Sequence, residues 1–277
     1  MPPQVKSIKL VIKCDSCDDQ ITPAEQPMIL NGDIFIPTVT GFQLQDAFAP
    51  VLAALTTGLP RQFSELIHSI YLYGSVARGE ATPGVSDLDI TLLLARPAAA
   101  VELQHIEQWR QNFQQQHAIV SKVDFDIGTV DQALKPSNLF SWGYWLKHHC
   151  RCIWGSDLSS AFPLFQPDRR IPQAVNADLR AVLEQYFQNI ADERVPAELQ
   201  RLKREAARKL IRATNMLRDP DSRFWPIALN DYVEQFLAVY PDKAAAVEYL
   251  LAHAAGTAND AAFADNARGF LDWLERQ

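Results

Sequence analysis

The chain lacks long hydrophobic runs, an excess of basic residues and a dense set of cysteines. No apolar stretch approaches the roughly 20 residues that a membrane-spanning helix needs. Four cysteines among 277 residues are too few for a disulfide framework. The first residues show no apolar core followed by a small-residue cleavage site, so we expect a globular, cytoplasmic protein.

Positive charge is scarce relative to negative charge. The chain has 26 Lys and Arg against 33 Asp and Glu, which gives a net charge of −7. Extended nucleic-acid surfaces are built from an excess of cations, so we expect neither such a surface nor a template-using polymerase here. Small anions such as nucleotides remain compatible, because a metal ion and a few local cations can bind them.

The most informative stretch of the sequence is IYLYGSVARGEATPGVSDLDITLLL, residues 70–94. Ile70–Tyr73 is typical of a short buried strand, which Gly74-Ser75 interrupts. A turn of this kind that opens a helix presents free N–H groups, and these groups and the Ser75 hydroxyl suit the phosphates of a nucleotide.

Two carboxylates follow on a second strand. The two-residue period of a strand puts Asp87 and Asp89 on the same face. Like charges that close repel each other unless a cation lies between them, and hard oxygen ligands beside phosphates favour Mg²⁺. The apolar run from Ile90 to Leu94 indicates a strand buried on both faces, where paired aspartates need a functional reason.

The segments GSVARG and SDLD together resemble the signature of the polymerase-beta-like nucleotidyltransferases, and most of all the small bacterial type that includes the aminoglycoside adenylyltransferases. The resemblance implies an α+β fold with a small mixed β-sheet, flanking helices and an all-helical C-terminal domain. It also implies ATP or another NTP as co-substrate and two Mg²⁺ ions. The residues that it assigns to nucleotide binding are Gly74, Ser75, Arg78 and Ser86.

A third carboxylate is expected on the next core strand, within IVSKVDFDIGTV, residues 119–130. Val123, Phe125 and Ile127 alternate with Asp124 and Asp126, which share the opposite face. An attacking hydroxyl must lose its proton, and a carboxylate beside the metals can accept it. The resemblance favours Asp124 as catalytic residue and metal ligand with Asp87 and Asp89, and Asp126 is the alternative.

The rest of the chain divides into three regions. Residues 1–45 form an N-terminal extension with short strands expected at 7–13 and 34–39 and an unassigned Cys14/Cys17 pair. A catalytic domain spans 46–165, and a helix from about Gln43 to Leu55 is expected ahead of the Ile70 strand. The prolines between 162 and 172 predict a linker there. A helical domain spans 172–277, with helices near 174–191, 197–217, 225–239, 243–254 and 261–275.

The helix near 197–217 has two opposed stripes. Leu202, Ala206, Leu210, Ala213 and Leu217 form the apolar stripe, and Arg201, Arg204, Arg208 and Arg212 form the other. One interpretation of the arginine stripe, which has few acidic neighbours, is that it is a solvated surface. In the aminoglycoside adenylyltransferases the helical domain closes over ATP and supplies cations eight residues apart, and Arg204 and Arg212 fit that spacing.

The sequence therefore predicts transfer of a nucleoside monophosphate to a hydroxyl group with release of pyrophosphate. We expect a small-molecule acceptor, of which an aminoglycoside is the family precedent, and a cationic acceptor suits an acidic protein. Two alternatives stay open at this point. One is transfer to a protein or tRNA partner, as in antitoxin-type members, and the other is a nucleotide-binding regulator without turnover.

Overall fold

The computed structural model describes residues 28–30 and 33–277, and these residues divide into two compact units, one formed by the described residues up to 166 and the other by 167–277. The predicted strand at 7–13 and the Cys14/Cys17 pair lie outside the described residues. No helix in the described part of the chain is long and apolar enough to cross a membrane.

The first unit contains two sheets. A small hairpin pairs β1 (Met28–Leu30) with β2 (Asp33–Phe35). The main sheet has the order β5-β4-β3-β6 and is mixed, because β4 is antiparallel to β3 and parallel to β5, while β6 is antiparallel to β3. Its strands are β3 (Ile67–Tyr73), β4 (Leu88–Leu94), β5 (Val123–Thr129) and β6 (Arg151–Gly155).

Helices α1 (Ala49–Gln62) and α3 (Ala100–Gln116) belong to the core that covers one face of this sheet. Leu88, Ile90 and Leu92 of β4 are fully buried in that core. Alternation then places Asp89 and Thr91 on the other face. The predicted apolar run is therefore a central strand, and β4 is buried along its whole length.

Helix α1 begins later than the predicted Gln43 and ends later than Leu55. The side chain of Gln45 explains the late start, because it accepts a hydrogen bond from Ala81 N and donates one to Ala81 O, each at 3.0 Å. These tertiary bonds hold Gln45 in an extended conformation, and a short 3₁₀ turn at Asp46–Phe48 then leads into α1.

The other face of the sheet is packed by helical segments between β5 and β6. Helix α4 (Val130–Leu134) is followed by π-helical stretches Leu139–Gly143 and Trp145–His149. A Cβ on Gly128 of β5 would lie 2.3 Å from the Trp142 ring, so glycine is needed there for the ring to pack on the strand. Helix α2 (Gly74–Arg78) connects β3 to the loop before β4.

The second unit consists of helices and the loops that connect them, without a strand. Its helices are α5 (Arg170–Val175), α6 (Leu179–Asp192), α7 (Pro196–Ala213), α8 (Leu229–Val239), α9 (Ala244–Ala254) and α10 (Phe263–Leu274). Four residues of the predicted apolar stripe are buried in a core shared with α6, α9 and α10, namely Ala206, Leu210, Ala213 and Leu217. Leu202 is buried outside that cluster. The two units together have the predicted α+β class, with a mixed sheet in one unit and helices alone in the other.

Candidate active site

The turn at Gly74 lies directly against the carboxylate of Asp89. Gly74 has a φ of +73°, and a Cβ built there would lie 2.1 Å from Asp89 Oδ2. Only glycine allows both the left-handed backbone and this approach. Asp89 is 6% exposed, so its carboxylate is held between β4 and the turn that opens α2.

The strand register sets the positions of the other acidic residues. Tyr73 of β3 and Asp124 of β5 are the two register partners of Asp89, so these three residues form one row across the sheet. The next row contains Tyr71, Thr91 and Asp126 in the same way. We call Asp87, Asp89, Asp124 and Asp126 the aspartate face.

Three carboxylates of the aspartate face have different partners. Ser121 Oγ donates to Asp87 Oδ1 at 2.6 Å. Lys122 Nζ lies 2.7 Å from Asp124 Oδ1 in an ion pair. Tyr73 Oη donates to Asp126 Oδ2 at 2.6 Å.

Tyr73 remains a hydrogen-bond donor. Burial raises the pKa of the Tyr73 hydroxyl well above its ordinary value, and the negative charges of Asp126 and Asp89 raise this pKa further. Its ring packs edge-on against Trp145, with centroids 4.8 Å apart, and Trp145 Nε1 donates to Thr91 Oγ1 at 3.1 Å. The hydrogen bond from Tyr73 therefore fixes the Asp126 carboxylate, which lies in the row next to that of Asp89.

The predicted nucleotide-binding residues of the first unit have different surroundings. Gly74 and Ser75 open α2 beside Asp89. Arg78 ends α2, and its Nε donates to Glu80 Oε2 at 2.7 Å. Ser86 is 5% exposed and accepts a hydrogen bond from Thr82 N at 2.9 Å, so it braces the loop that leads to Asp87.

The oxygen-rich aspartate face fits a hard divalent cation that binds together with a substrate. Among residues 28–30 and 33–277, no group of three or more metal-binding side chains is already assembled. Mg²⁺ is commonly held by one or two carboxylates together with substrate phosphates rather than by a cage of protein ligands. Gly74 leaves space for the Asp89 carboxylate beside the turn, which is consistent with a metal ion held by carboxylates together with substrate phosphates.

Three residues of the site, Tyr73, Ser121 and Lys122, were not predicted from the sequence. A signal for the last two was present, because both strands begin with the same Ser-x-x-Asp pattern, as Ser86–Asp89 and Ser121–Asp124. The structure aligns the two copies, since Ser121 N donates to Ser86 O and Leu88 N donates to Lys122 O. No comparable signal pointed to the bond between Tyr73 and Asp126, which depends on strand register.

The arginine stripe of α7 in the second unit is not uniform. Arg201 forms ion pairs with Glu198 and Glu205 of the same helix. The expectation that few acidic residues lie beside the arginines was therefore wrong at this position. Arg208 Nε donates to Ala254 O at 3.2 Å. The Nε atom of Arg204 is buried and has no hydrogen-bond partner among residues 28–30 and 33–277. Arg212 lies near Lys209, whose pKa is lowered first by burial and also by the charge of Arg212.

Comparison with protein families identifies the class of this site. Residues 56–140 match the family model of the nucleotidyltransferase domain. The matched segment contains β3, the Gly74 turn, β4, β5 and the whole aspartate face, and it confirms the resemblance predicted from GSVARG and SDLD. The match covers under a third of the chain, and over this segment the chain is similar to nucleotidyltransferase domains.

Comparison with individual proteins adds one solved structure. A spectinomycin adenyltransferase from Enterococcus faecalis, crystallised with ATP and spectinomycin, matches with a TM-score of 0.45 and 16% sequence identity. The match covers 84% of this chain and 98% of that chain. No curated protein sequence gives a significant match.

Proposed function

We propose that the protein transfers a nucleoside monophosphate from an NTP, with ATP as the preferred donor, to a hydroxyl group of a small molecule. The acceptor oxygen forms a bond to the α-phosphorus, the bond from this phosphorus to the β-phosphate oxygen breaks, and pyrophosphate leaves. The observation that carries the proposal is the contact of Asp89 with the Gly74 turn, in one row with Asp124.

Each residue of the site has a role in this proposal. Asp124 accepts the proton of the acceptor hydroxyl, since its row places it beside Asp89. Asp126 is the alternative base, but its bond to Tyr73 argues for an anchored, supporting role. Gly74, Ser75, Arg78 and Ser86 hold the outer phosphates of the NTP, and Arg204 and Arg212 of α7 add positive charge toward the nucleotide.

Asp87, Asp89 and Asp124 would hold Mg²⁺, as two ions, when the nucleotide is bound. Such ions neutralise the charge of the triphosphate and lower the pKa of a bound hydroxyl. Neighbouring residues of the protein fix the positions of these carboxylates. Asp87 is fixed by Ser121, and Asp89 is fixed by the Gly74 turn.

The acceptor class is proposed from charge and from the resemblance in the motifs. A net charge of −7 favours a cationic small molecule over an RNA, and an aminoglycoside has that chemistry. We place the reaction in the cytoplasm, where NTPs are supplied.

The proposal is tested in two stages. Thermal-shift measurements with each of the four NTPs and Mg²⁺ identify the donor, because a ligand that binds the native state raises its Tm. The Asp89→Asn variant is the control and should lose that shift. Transfer of α-³²P label from the donor is then measured to aminoglycosides, to tRNA and to protein partners. Label on tRNA or protein but on no small molecule would contradict the proposed acceptor class, and a shift without any transfer would favour a regulator.

A further inference from the structure

Lys122 places a positive charge on the aspartate face. It immediately precedes β5, and its carbonyl accepts the hydrogen bond from Leu88 N at 2.8 Å, so its backbone continues the pairing with β4. Its ammonium lies 2.7 Å from Asp124 Oδ1. The Lys122 side chain therefore contacts the carboxylate that the proposed function uses as base and metal ligand.

The partners of the aspartate face differ in charge. Ser121 and Tyr73 supply neutral hydroxyl groups to Asp87 and Asp126, whereas Lys122 supplies a full positive charge to Asp124. A cation at this position offsets the repulsion among neighbouring carboxylates, as a metal ion would.

The ion pair is also placed so that it can open. The side chains of Lys122 and Asp124 are 47% and 30% exposed, so the ammonium can leave Asp124 without disturbing the core. Ion pairs with this exposure are held weakly, because water screens them. A divalent cation that arrives with a triphosphate competes for Asp124, and the phosphates offer the displaced ammonium a new partner.

We propose that Lys122 is a built-in counter-ion that occupies Asp124 in the nucleotide-free protein and yields it when a metal–nucleotide complex binds. Divalent metal then binds more weakly to the nucleotide-free protein than it does together with the nucleotide. This inference rests on the proposed function, because it assumes that the aspartate face is the metal–nucleotide site. Lys122 acts here as a positioning residue that controls access to Asp124.

The test measures Mn²⁺, an EPR-visible substitute for Mg²⁺, with the full-length, nucleotide-free protein. Lys122→Met keeps the aliphatic stem and removes the charge, and Lys122→Arg keeps the charge. Lys135→Met removes one charge from the exposed residue that follows α4 and is the matched control. We expect Lys122→Met to bind Mn²⁺ about fivefold more tightly than wild type, the range of an exposed ion pair, with both other variants unchanged.

A second measurement uses α,β-methylene ATP, which binds but cannot transfer its nucleotide. In its presence we expect wild type and Lys122→Met to bind Mn²⁺ with similar affinity, because Lys122 has already left Asp124. Combining Lys122→Met with Asp124→Asn should remove the gain seen without nucleotide.

Three outcomes would overturn the inference. Equal Mn²⁺ affinity of wild type and Lys122→Met without nucleotide would make Lys122 an ordinary surface ion pair, and so would absence of Mn²⁺ binding in both. If Lys135→Met increased the Mn²⁺ affinity as much as Lys122→Met does, the effect would come from the net charge of the protein and not from the contact with Asp124. Failure of the proposed function has a different signature. No label would be transferred to any acceptor, while Lys122→Met would still bind Mn²⁺ more tightly than Lys135→Met.

Discussion

Asp89 Oδ2 lies where a Cβ on Gly74 would be, with only 2.1 Å between the two positions. The turn after β3 and the carboxylate on β4 therefore define each other: any side chain at residue 74 must move Asp89 or distort the turn. Because Gly74 also has a φ of +73°, two separate physical reasons require glycine there.

Gly74→Ala should abolish nucleotide transfer while the protein still folds. The added methyl group displaces the Asp89 carboxylate, and we expect turnover to fall at least about 100-fold. Gly256→Ala is the matched control, because Gly256 has a φ of +76° but a Cβ added to it would lie 3.5 Å from its nearest neighbour, Gln200 Nε2. The control should lose only about 1–2 kcal/mol of stability and keep its turnover. Equal loss of turnover in both variants would show that backbone strain, and not the Asp89 contact, is responsible.

The two acidic residues of β5 should differ in their effect on turnover. Asp124→Asn keeps the size of the side chain and removes its basicity, so turnover should fall by roughly 10²–10⁴-fold with nucleotide binding largely intact. Asp126→Asn should do less, because the amide oxygen can still accept the Tyr73 hydrogen bond. Single-turnover rates and nucleotide Kd values separate the two effects. Reversed sensitivities would move the base to Asp126, and two silent variants would remove β5 from the mechanism.

The arginines of α7 provide a prediction with an internal control. Arg212→Ala and Arg204→Ala should each weaken nucleotide binding by about tenfold or more, since a charge-assisted hydrogen bond contributes about 1.5–3 kcal/mol. Arg201→Ala should leave the affinity unchanged, because Arg201 is paired with Glu198 and Glu205 on its own helix. Isothermal titration with a non-transferable ATP analogue measures all three. If Arg212→Ala matches Arg201→Ala, α7 presents a solvated surface.

Local sequence signals predicted most of the elements that carry the site. The strand before Gly74 and the buried β4 were expected from continuous apolar runs, because both strands are buried along almost their whole length. The alternation of apolar and acidic residues predicted β5. The five long helices of the second unit also lie close to their predicted ranges, because their apolar stripes are regular.

Features set by contacts between distant residues could not be predicted from the sequence alone. The start of α1 depends on Gln45 binding to Ala81. The anchoring of Asp126 depends on Tyr73 of β3 reaching across β4 to β5. Neither contact leaves a periodic pattern. The pairing of Arg201 is the opposite case: both glutamates are at helical spacing and were visible in the sequence.

His148 makes the stability of the first unit depend on pH. Phe165 N donates to His148 Nε2 at 3.0 Å, so Nδ1 carries the proton and donates to Pro37 O at 3.0 Å. His148 lies in the last turn of the π-helical stretch Trp145–His149. It is 2% exposed, and burial lowers its pKa from 6.5 to about 4.

The sign follows from the lowered pKa. Between pH 6.5 and about 4 the unfolded chain binds a proton at His148 that the folded protein does not bind, so the folded state loses stability as the pH falls through this window. Above pH 6.5 the contribution is complete. The loss due to His148 should reach up to about 3 kcal/mol, and His148→Gln should reduce the pH dependence of urea-unfolding curves by that amount. His149, whose pKa burial lowers to about 3, keeps its own contribution in this variant. His105→Gln, at an exposed position of α3, is the control and should keep the wild-type pH dependence.

The most direct test of the proposed function is the coupling of pyrophosphate release to the paired aspartates of β4. The wild-type protein and an Asp87→Asn/Asp89→Asn double variant are incubated with the donor NTP that the thermal-shift screen identifies, Mg²⁺ and a hydroxylated acceptor. We predict that the wild-type protein releases pyrophosphate in step with label transfer to the acceptor and that the double variant, still folded by circular dichroism, releases none above background. Pyrophosphate release by the double variant at the wild-type rate would contradict the assignment of these aspartates to the site.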